Sequence, residues 1–222
     1  LNAPTKTAYS DLPEVLPVFP LSDVILLPGG RLPLNVFEPH YMALVEAALK
    51  QGRMFGLIQP VHDEISDIQP KLYSVGTVGR IVHFSETEND QYFVVMYGAC
   101  RFRVTEELDA DDSGFRRLRV NYSDYAADLQ NPAGGQVTAP RQRLMDCLTR
   151  YVQAHELELD LRALDALSVP SLVVTLSMAL PFESSEKQAL LEAETIDHRF
   201  GALCTLMEMG AMIAQGMGDS PQ

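Results

Sequence analysis

Residues 16–49 read LPVFPLSDVILLPGGRLPLNVFEPHYMALVEAAL, and the rest of the chain is organised around them. Two apolar runs flank Pro28-Gly29-Gly30. Pro28 presets φ at the first central position of a turn, and a following glycine takes positive φ without steric cost. Pro17, Pro20 and Pro33 each lack an N–H, so the strands carrying them are expected at sheet edges or bulges. A helix follows. Glu38 stands at the N-cap and Pro39 at the first helical position, where a missing N–H costs little. Tyr41, Leu44, Val45, Ala48 and Leu49 repeat at i, i+3, i+4, i+7 and i+8, which gives one apolar face. Lys50 suits the last turn, and Gly52 suits the residue just beyond it. The stretch is therefore a strand–turn–strand–helix unit able to nucleate a core.

Working outward, Met54–Ile58 is a short apolar run stopped by Pro60, and reads as a buried strand. Residues 61–71 are polar and read as a surface loop. The runs Gly76–Phe84 and Gln91–Tyr97 are joined by an acidic turn and form a hairpin. Gly98 is expected to redirect the chain. Beyond it Cys100, Phe102 and Val104 alternate with Arg101 and Arg103, so the apolar set faces in and both arginines face out. Leu118, Val120 and Tyr122 alternate with Arg117 and Arg119 in the same way. Many short strands of this kind solve their edge problem by closing on themselves.

Past Asp128 the period changes. Asn131–Gly135 is a turn-rich linker, and everything after it is helical. Pro140 opens a helix with Leu144, Cys147, Leu148, Tyr151 and Val152 on one face. A short turn or helix covers residues 161–167. Ser168 caps a helix whose inner face is Leu172, Val173, Leu176 and Leu180. Ser185 with Gln188 fits a capping box for the next, and Thr195 caps the last. Residues 1–11 are polar and expected to fray. The fold class is α+β: a mixed β-barrel domain with one helix over residues 1–127, then a helical bundle domain over residues 128–222.

The 16–49 stretch closely resembles the opening of the N-terminal, substrate-binding (LON) domain of Lon-type ATP-dependent proteases. It is especially similar to small bacterial proteins built from that domain alone. Residues 75–104, VGTVGRIVHFSETENDQYFVVMYGACRFRV, look like the second signature of the family, and residues 179–203, ALPFESSEKQALLEAETIDHRFGAL, like its helical end. The resemblance covers residues 12–212. It implies a PUA-like barrel followed by a helical bundle. It also implies a non-catalytic module for substrate recognition or adaptor work, with unfolded or degron-like polypeptides, or another protein of the proteolysis machinery, as partners.

Composition narrows the alternatives. The 222 residues carry a formal net charge of −13, spread over both halves of the chain. Such acidity repels nucleic acid and anionic lipid at long range. The arginines at 101, 103, 116, 117 and 119 form the only basic strip, and RNA contact through it is the second reading. Specific RNA readers add stacking aromatics beside such residues, and no alternating Arg–aromatic pattern appears on the outward face. No apolar run has the length of a membrane span, and no secretory signal is visible. Cys100, Cys147 and Cys204 are odd in number and form no CxxC, which favours buried thiols in a reducing, cytoplasmic setting.

Chemistry-bearing motifs are scarce. The dipeptide Gly-Lys never occurs, so there is no phosphate-binding P-loop. No GxSxG and no HExxH is present, and no two of the five histidines sit at helical metal-ligand spacing. Ser184, Ser185 and Lys187 lie close together, but Ser185 is explained as a cap. No catalytic residue, metal or cofactor is expected, so the chain reads as a non-enzyme; a small-molecule enzyme without a recognisable motif is the third reading. For peptide binding the candidates are Phe37, Tyr41, Met96, Tyr97 and Met209. They would line an apolar groove on the barrel or at its junction with the helices, with edge-strand pairing as one mode. Met209 is singled out because it lies off the Phe200, Leu203, Met207, Ala211 face of the last helix; methionine is an adaptable contact.

Overall fold

The computed structural model describes residues 7–61, 70–158 and 164–218. The strands are β1 (Val15–Pro20), β2 (Arg31–Val36), β3 (Met54–Ile58), β4 (Val75–Glu86), β5 (Tyr92–Leu108) and β6 (Arg116–Asn121). Helix α1 (Pro39–Lys50) lies between β2 and β3. After β6 come a 3₁₀ segment, Ser123–Leu129, and the helices α2 (Arg141–Ala154), α3 (Val169–Ala179), α4 (Ser184–Glu192) and α5 (Ile196–Gly218). The strands form one mixed sheet in the order β2-β5-β4-β3-β1-β6, and β5 also pairs with β6. The length of β5 makes this possible. Its first half pairs with β2 and its second half with β6, while β4 runs antiparallel to it from Val75↔Arg103 to Glu86↔Tyr92. The pairings therefore run in a ring through β5, β4, β3, β1 and β6, and β2 stands outside the ring with one edge unpaired among the described residues.

Prolines predicted edge positions for both β1 and β2, and only β2 has one. β1 is flanked on both sides, antiparallel to β6 through Val15–Val18 and parallel to β3 through Val18–Pro20. The two ladders occupy different halves of the strand, so β1 is interior without being fully paired on either side. The turn at Pro28 forms as read: Gly29 has φ +80°, and the Gly30 N–H donates to the Leu27 carbonyl at 2.9 Å. It does not join paired strands. Ile25, Leu26 and Leu27 instead form a fully buried non-strand segment. The β5 strand continues through Gly98 with a register shift, and the Leu27 carbonyl lies where a Cβ on Gly98 would have to be.

Two apolar clusters result. Under α1, Phe19, Leu26, Leu44, Val45, Phe55, Ile81, Val94 and Met96 pack together. The larger cluster joins Leu16, Val18, Phe102 and Leu118 of the sheet to Leu144, Leu172, Phe200, Leu203 and Met207 of the helices. β3 feeds both, with Met54 and Ile58 in the larger cluster and Phe55 and Leu57 in the other, which is why it reads as an unbroken apolar run. The core continues across the boundary drawn at residue 127.

The helix caps largely follow the sequence. Pro39 is at the start of α1 behind Glu38, and Gly52 takes φ +75° after it. The Ser168 hydroxyl accepts from the Ser171 N–H at 3.3 Å, and Thr195 accepts from the His198 N–H at 3.1 Å. α4 starts earlier than its serine pattern suggested. Its cap bond comes from Glu186, whose carboxylate accepts the Glu183 N–H at 3.0 Å, and Ser185 lies inside the first turn. Residues 62–69 of the expected loop and 161–163 of the expected turn lie outside the described residues.

Candidate functional site: a groove beside the free edge of β2

The unpaired edge of β2 can be assigned residue by residue. The Gly98 N–H donates to the Gly30 carbonyl at 3.0 Å, and the Gly29 N–H to the Gly98 carbonyl at 2.9 Å. Register continues as Arg31↔Tyr97, Leu32↔Met96 and Pro33↔Val95. Antiparallel pairs alternate between hydrogen-bonded and non-bonded. Counting from Gly30, the main-chain groups of Leu32, Leu34 and Val36 turn toward β5, and those of Arg31, Pro33 and Asn35 turn outward. Pro33 agrees, since its missing donor falls where β5 needs none. The open edge thus offers the N–H groups of Arg31 and Asn35 and the carbonyls of Arg31, Pro33 and Asn35. Leu32 and Leu34 pack toward the cluster under α1, while Arg31, Pro33 and Asn35 expose their side chains on the other face.

α3 forms the facing wall. Leu172, Val173 and Leu176 point into the core. Ser171, Val174, Thr175 and Met178, spaced i, i+3, i+4 and i+7, line a groove of about 510 Å³ with Gly30, Arg31, Leu32 and Pro33 opposite. The Met178 thioether packs on Gly30 so closely that a Cβ there would overlap it. The far end of α3 is held by Lys187, whose ammonium donates to the Met178 carbonyl at 3.2 Å, a cation at a helix C-terminus. Burial pushes the Lys187 pKa below its ordinary value.

Charge in the groove is asymmetric. Arg31 is exposed and, among the described residues, has no ion-pair partner. Most of the strip expected to be basic is neutralised instead, Arg117 alone being held by a carbonyl rather than a carboxylate. Arg103 pairs with Asp124, Arg116 with Glu107 and Arg119 with Glu106, and Arg117 donates to the Asp109 carbonyl. Arg101 does not face out at all. It is 6% exposed, forks onto Asp128 through two 2.9 Å bonds, and donates to the carbonyls of Leu191 and Ala193 at 3.2 and 2.7 Å. Alternation correctly separated Arg101 from Phe102; the 3₁₀ segment and the α4–α5 connection cover the second face as well.

The expected peptide contacts do not converge. Phe37 directly follows β2 and is 61% exposed. Tyr41 stacks on Phe19 at 4.0 Å and lines a separate cleft with His40 and Arg116. Tyr97 is half-buried opposite Arg31, on the face of the sheet away from the cluster under α1. Met209 is 52% exposed on α5, with Met212 and Ile213 beside it. Met96 offers no surface for a ligand: it is wholly buried beneath β5, its methyl group against Gly79. None of the five lines the groove. The residues that do escape the sequence reading because α3 is apolar almost all round, and helical spacing picks out only its Leu172, Val173, Leu176, Leu180 face. That excess of apolar positions was the available signal.

The residues with catalytic potential are used structurally. The Ser184 hydroxyl donates to Asp23 at 2.6 Å and accepts the Asp23 N–H at 3.1 Å, which holds Asp23 at φ +58°. All three cysteines are buried and free, and burial pushes the Cys100 and Cys204 thiols up to about 12. Among the described residues no group of three or more His, Cys, Asp or Glu could hold a metal ion, and no helix is long and apolar enough to cross a membrane.

Comparison with known proteins identifies the architecture. The model of the ATP-dependent protease La (LON) substrate-binding domain matches residues 15–209. The chain belongs to the LON substrate-binding domain family. The "Lon protease 2" of Myxococcus xanthus is 35% identical over 112 residues, which is 50% of this chain and 13% of that protein. The peroxisomal "Lon protease homolog 2" of Danio rerio is 28% identical over 207 residues, 85% of this chain and 24% of its own length. This LON domain therefore spans about a quarter or less of those relatives. Among solved structures, the Lon N-terminal domain protein of Xanthomonas campestris superposes with a TM-score of 0.58 at 24% identity, covering 86% of this chain and 97% of that one. The N-terminal domain of Mycobacterium avium complex Lon protease superposes at 0.57 with 17% identity, over 87% and 98%. Both share the fold. The domain is of the substrate-binding kind, distinct from the catalytic part of the full-length proteases.

Proposed function

We propose that this LON domain is a non-catalytic substrate-recognition or adaptor module that binds extended polypeptide by adding it as a strand to the open edge of β2. The observation that carries the reading is the outward row of main-chain groups at Arg31, Pro33 and Asn35, next to an apolar groove walled by α3. Strand addition takes affinity from the backbone and selectivity from alternate side chains. One side of the added strand meets Val174, Thr175 and Met178; the other looks toward Arg31. Such a site accepts many sequences, as recognition of unfolded or degron-like segments requires, and Met178 supplies an adaptable contact. Phe37, at the end of β2, is retained as a flanking contact. Family membership supports the substrate-binding class, and the ring of strand pairings supports a PUA-like barrel. Three buried thiols support a cytoplasmic setting. A partner within the proteolysis machinery is consistent with the adaptor form of the reading.

Fluorescence anisotropy of the purified protein against a labelled unfolded polypeptide, with single-stranded RNA in parallel at physiological salt, tests this. Saturable polypeptide binding is expected. Asn35→Pro removes one outward N–H without touching the β2–β5 ladder, as Pro33 already does. It is expected to weaken binding about three- to tenfold, the net worth of one hydrogen bond of roughly 0.5–1.5 kcal/mol. Unchanged affinity in a folded Asn35→Pro protein removes the edge from the mechanism. Binding of RNA alone overturns the reading.

A further inference from the structure

Resting on that reading, we infer that the groove selects extended apolar segments that carry a carboxylate opposite Arg31. A strand laid along β2 alternates its side chains. Those on the α3 side enter an apolar wall of Leu167, Val174 and Met178. Those on the other side stand beside Arg31, at the roughly 4.5–5.5 Å Cβ separation of cross-strand neighbours. Arg31 is cross-strand to Tyr97, and Tyr97 to Arg80 on β4, so this face carries a cation at either end of the row. Arg80 donates to the Gly52 carbonyl at 3.0 Å and is held in place. Arg31 has no such anchor among the described residues and lines the groove.

Complementarity decides the ligand's charge. The protein carries a net −13, so a segment rich in acid is repelled before it docks. A single carboxylate seated at Arg31 escapes most of that repulsion and gains a guanidinium fork, which matches carboxylate geometry. The preferred ligand is therefore apolar at alternate positions, with one negative charge on the opposite register. The carboxylate can be an Asp or Glu side chain or the free C-terminus of the bound chain, since both present the same two oxygens.

The test uses labelled nine-residue peptides alternating apolar and neutral polar residues. One carries a central Glu on the polar register and an amidated end, one has Gln there with a free C-terminus, and one is neutral throughout. Anisotropy on the wild-type protein should show the carboxylate peptides binding about two- to fivefold tighter than the neutral one. That is the range of an exposed ion pair worth roughly 0.2–1 kcal/mol. Arg31→Gln should erase the preference, so that the carboxylate and neutral peptides bind it alike. Arg31→Glu should transfer the preference to a Lys peptide, and 0.5 M salt should compress it. Which carboxylate peptide wins tells side chain from chain end. Equal binding of all three to wild type overturns the inference while the edge-binding reading stands. No binding of any of them overturns both. A carboxylate preference that survives undiminished in Arg31→Gln also overturns it.

Discussion

Two seams join the sheet to the helices, and they are built from opposite materials. One is closed and polar. Arg101 ties the sheet to Asp128 and to the α4–α5 connection, with Tyr125 under its guanidinium at 4.5 Å. On the same side of the fold Gln59 donates to Ser184 and Gln188, and Gln188 to the Val75 carbonyl. The other seam, between β2 and α3, is open and apolar. Its closest bridge is Met178 lying on Gly30. Directional bonds fix the relative placement of two elements. A methionine across a glycine lets them approach without fixing them. The difference assigns the labour: the first seam sets where α4 and its connection to α5 stand, and the second is left free to be filled.

The strongest way to break this contrast is at Arg101. Removing one member of a buried ion pair strands its partner's charge, at a cost of about 3–5 kcal/mol. Arg101→Ala should lower stability by that amount in urea unfolding, while Arg31→Gln, at the open seam, should change it by less than about 0.5 kcal/mol. The double variant Arg101→Met with Asp128→Leu should regain most of the loss, because well-packed apolar replacements avoid the stranded charge. If Arg101→Ala cost no more than Arg31→Gln, the closed seam would not be holding the fold.

What the sequence disclosed divides along local and non-local lines. α1 was legible in full, because Glu38, Pro39, the apolar spacing and Gly52 are all near neighbours in the chain. The α+β order and the hairpin were legible for the same reason. The interior place of β1 was not, since its prolines report a missing donor but not how its two partners share the strand. Alternation put Arg101 opposite Phe102 correctly and could not say that the second face was covered too. The groove was the least legible. Its walls come from residues 29–33 and 167–179, and each wall alone looks like ordinary strand or core. Met96 and Tyr97 show the same limit: adjacent residues on one strand, one wholly buried and one partly exposed, and their depth was set by packing alone.

A second, gentler probe of the closed seam is alkaline. Cys100 lies beneath Arg101 and Asp128, and burial with the Asp128 charge pushes its thiol from 9.0 up to about 12. Below pH 9 the thiol is protonated in both folded and unfolded chains, and it contributes no pH dependence. Between 9 and 12 the unfolded thiol ionises while the folded one keeps its proton. The unfolded state then binds fewer protons, and stability falls as pH rises. Other groups titrate in this range, so the comparison is with Cys100→Ala, which lacks this contribution. Urea unfolding at pH 8 and pH 10.5 should show the wild type losing ground to Cys100→Ala. A constant difference would mean that the seam admits water.

The smallest expected effect sharpens the open seam. α3 is the groove's wall, and Ser168 supplies its first hydrogen bond, to the Ser171 N–H. Loss of such a cap costs typically ~1 kcal/mol. In Ser168→Ala the cost falls on the first turn of α3, next to Ser171, whereas Val174, Thr175 and Met178 are held by the helix interior and by Lys187 at the far end. Global stability should drop by about that amount, and neutral-peptide affinity should weaken less than twofold. Hydrogen exchange should speed up at the first turn of α3 and hardly at all near Met178. If peptide affinity instead fell as far as it does in Asn35→Pro, the first turn of α3 would be part of the binding surface. Recognition would then use the Leu167 end of the groove as well as its middle. An unchanged affinity confines recognition to β2 and the later turns of α3, where the backbone edge and the apolar wall stand directly opposite each other.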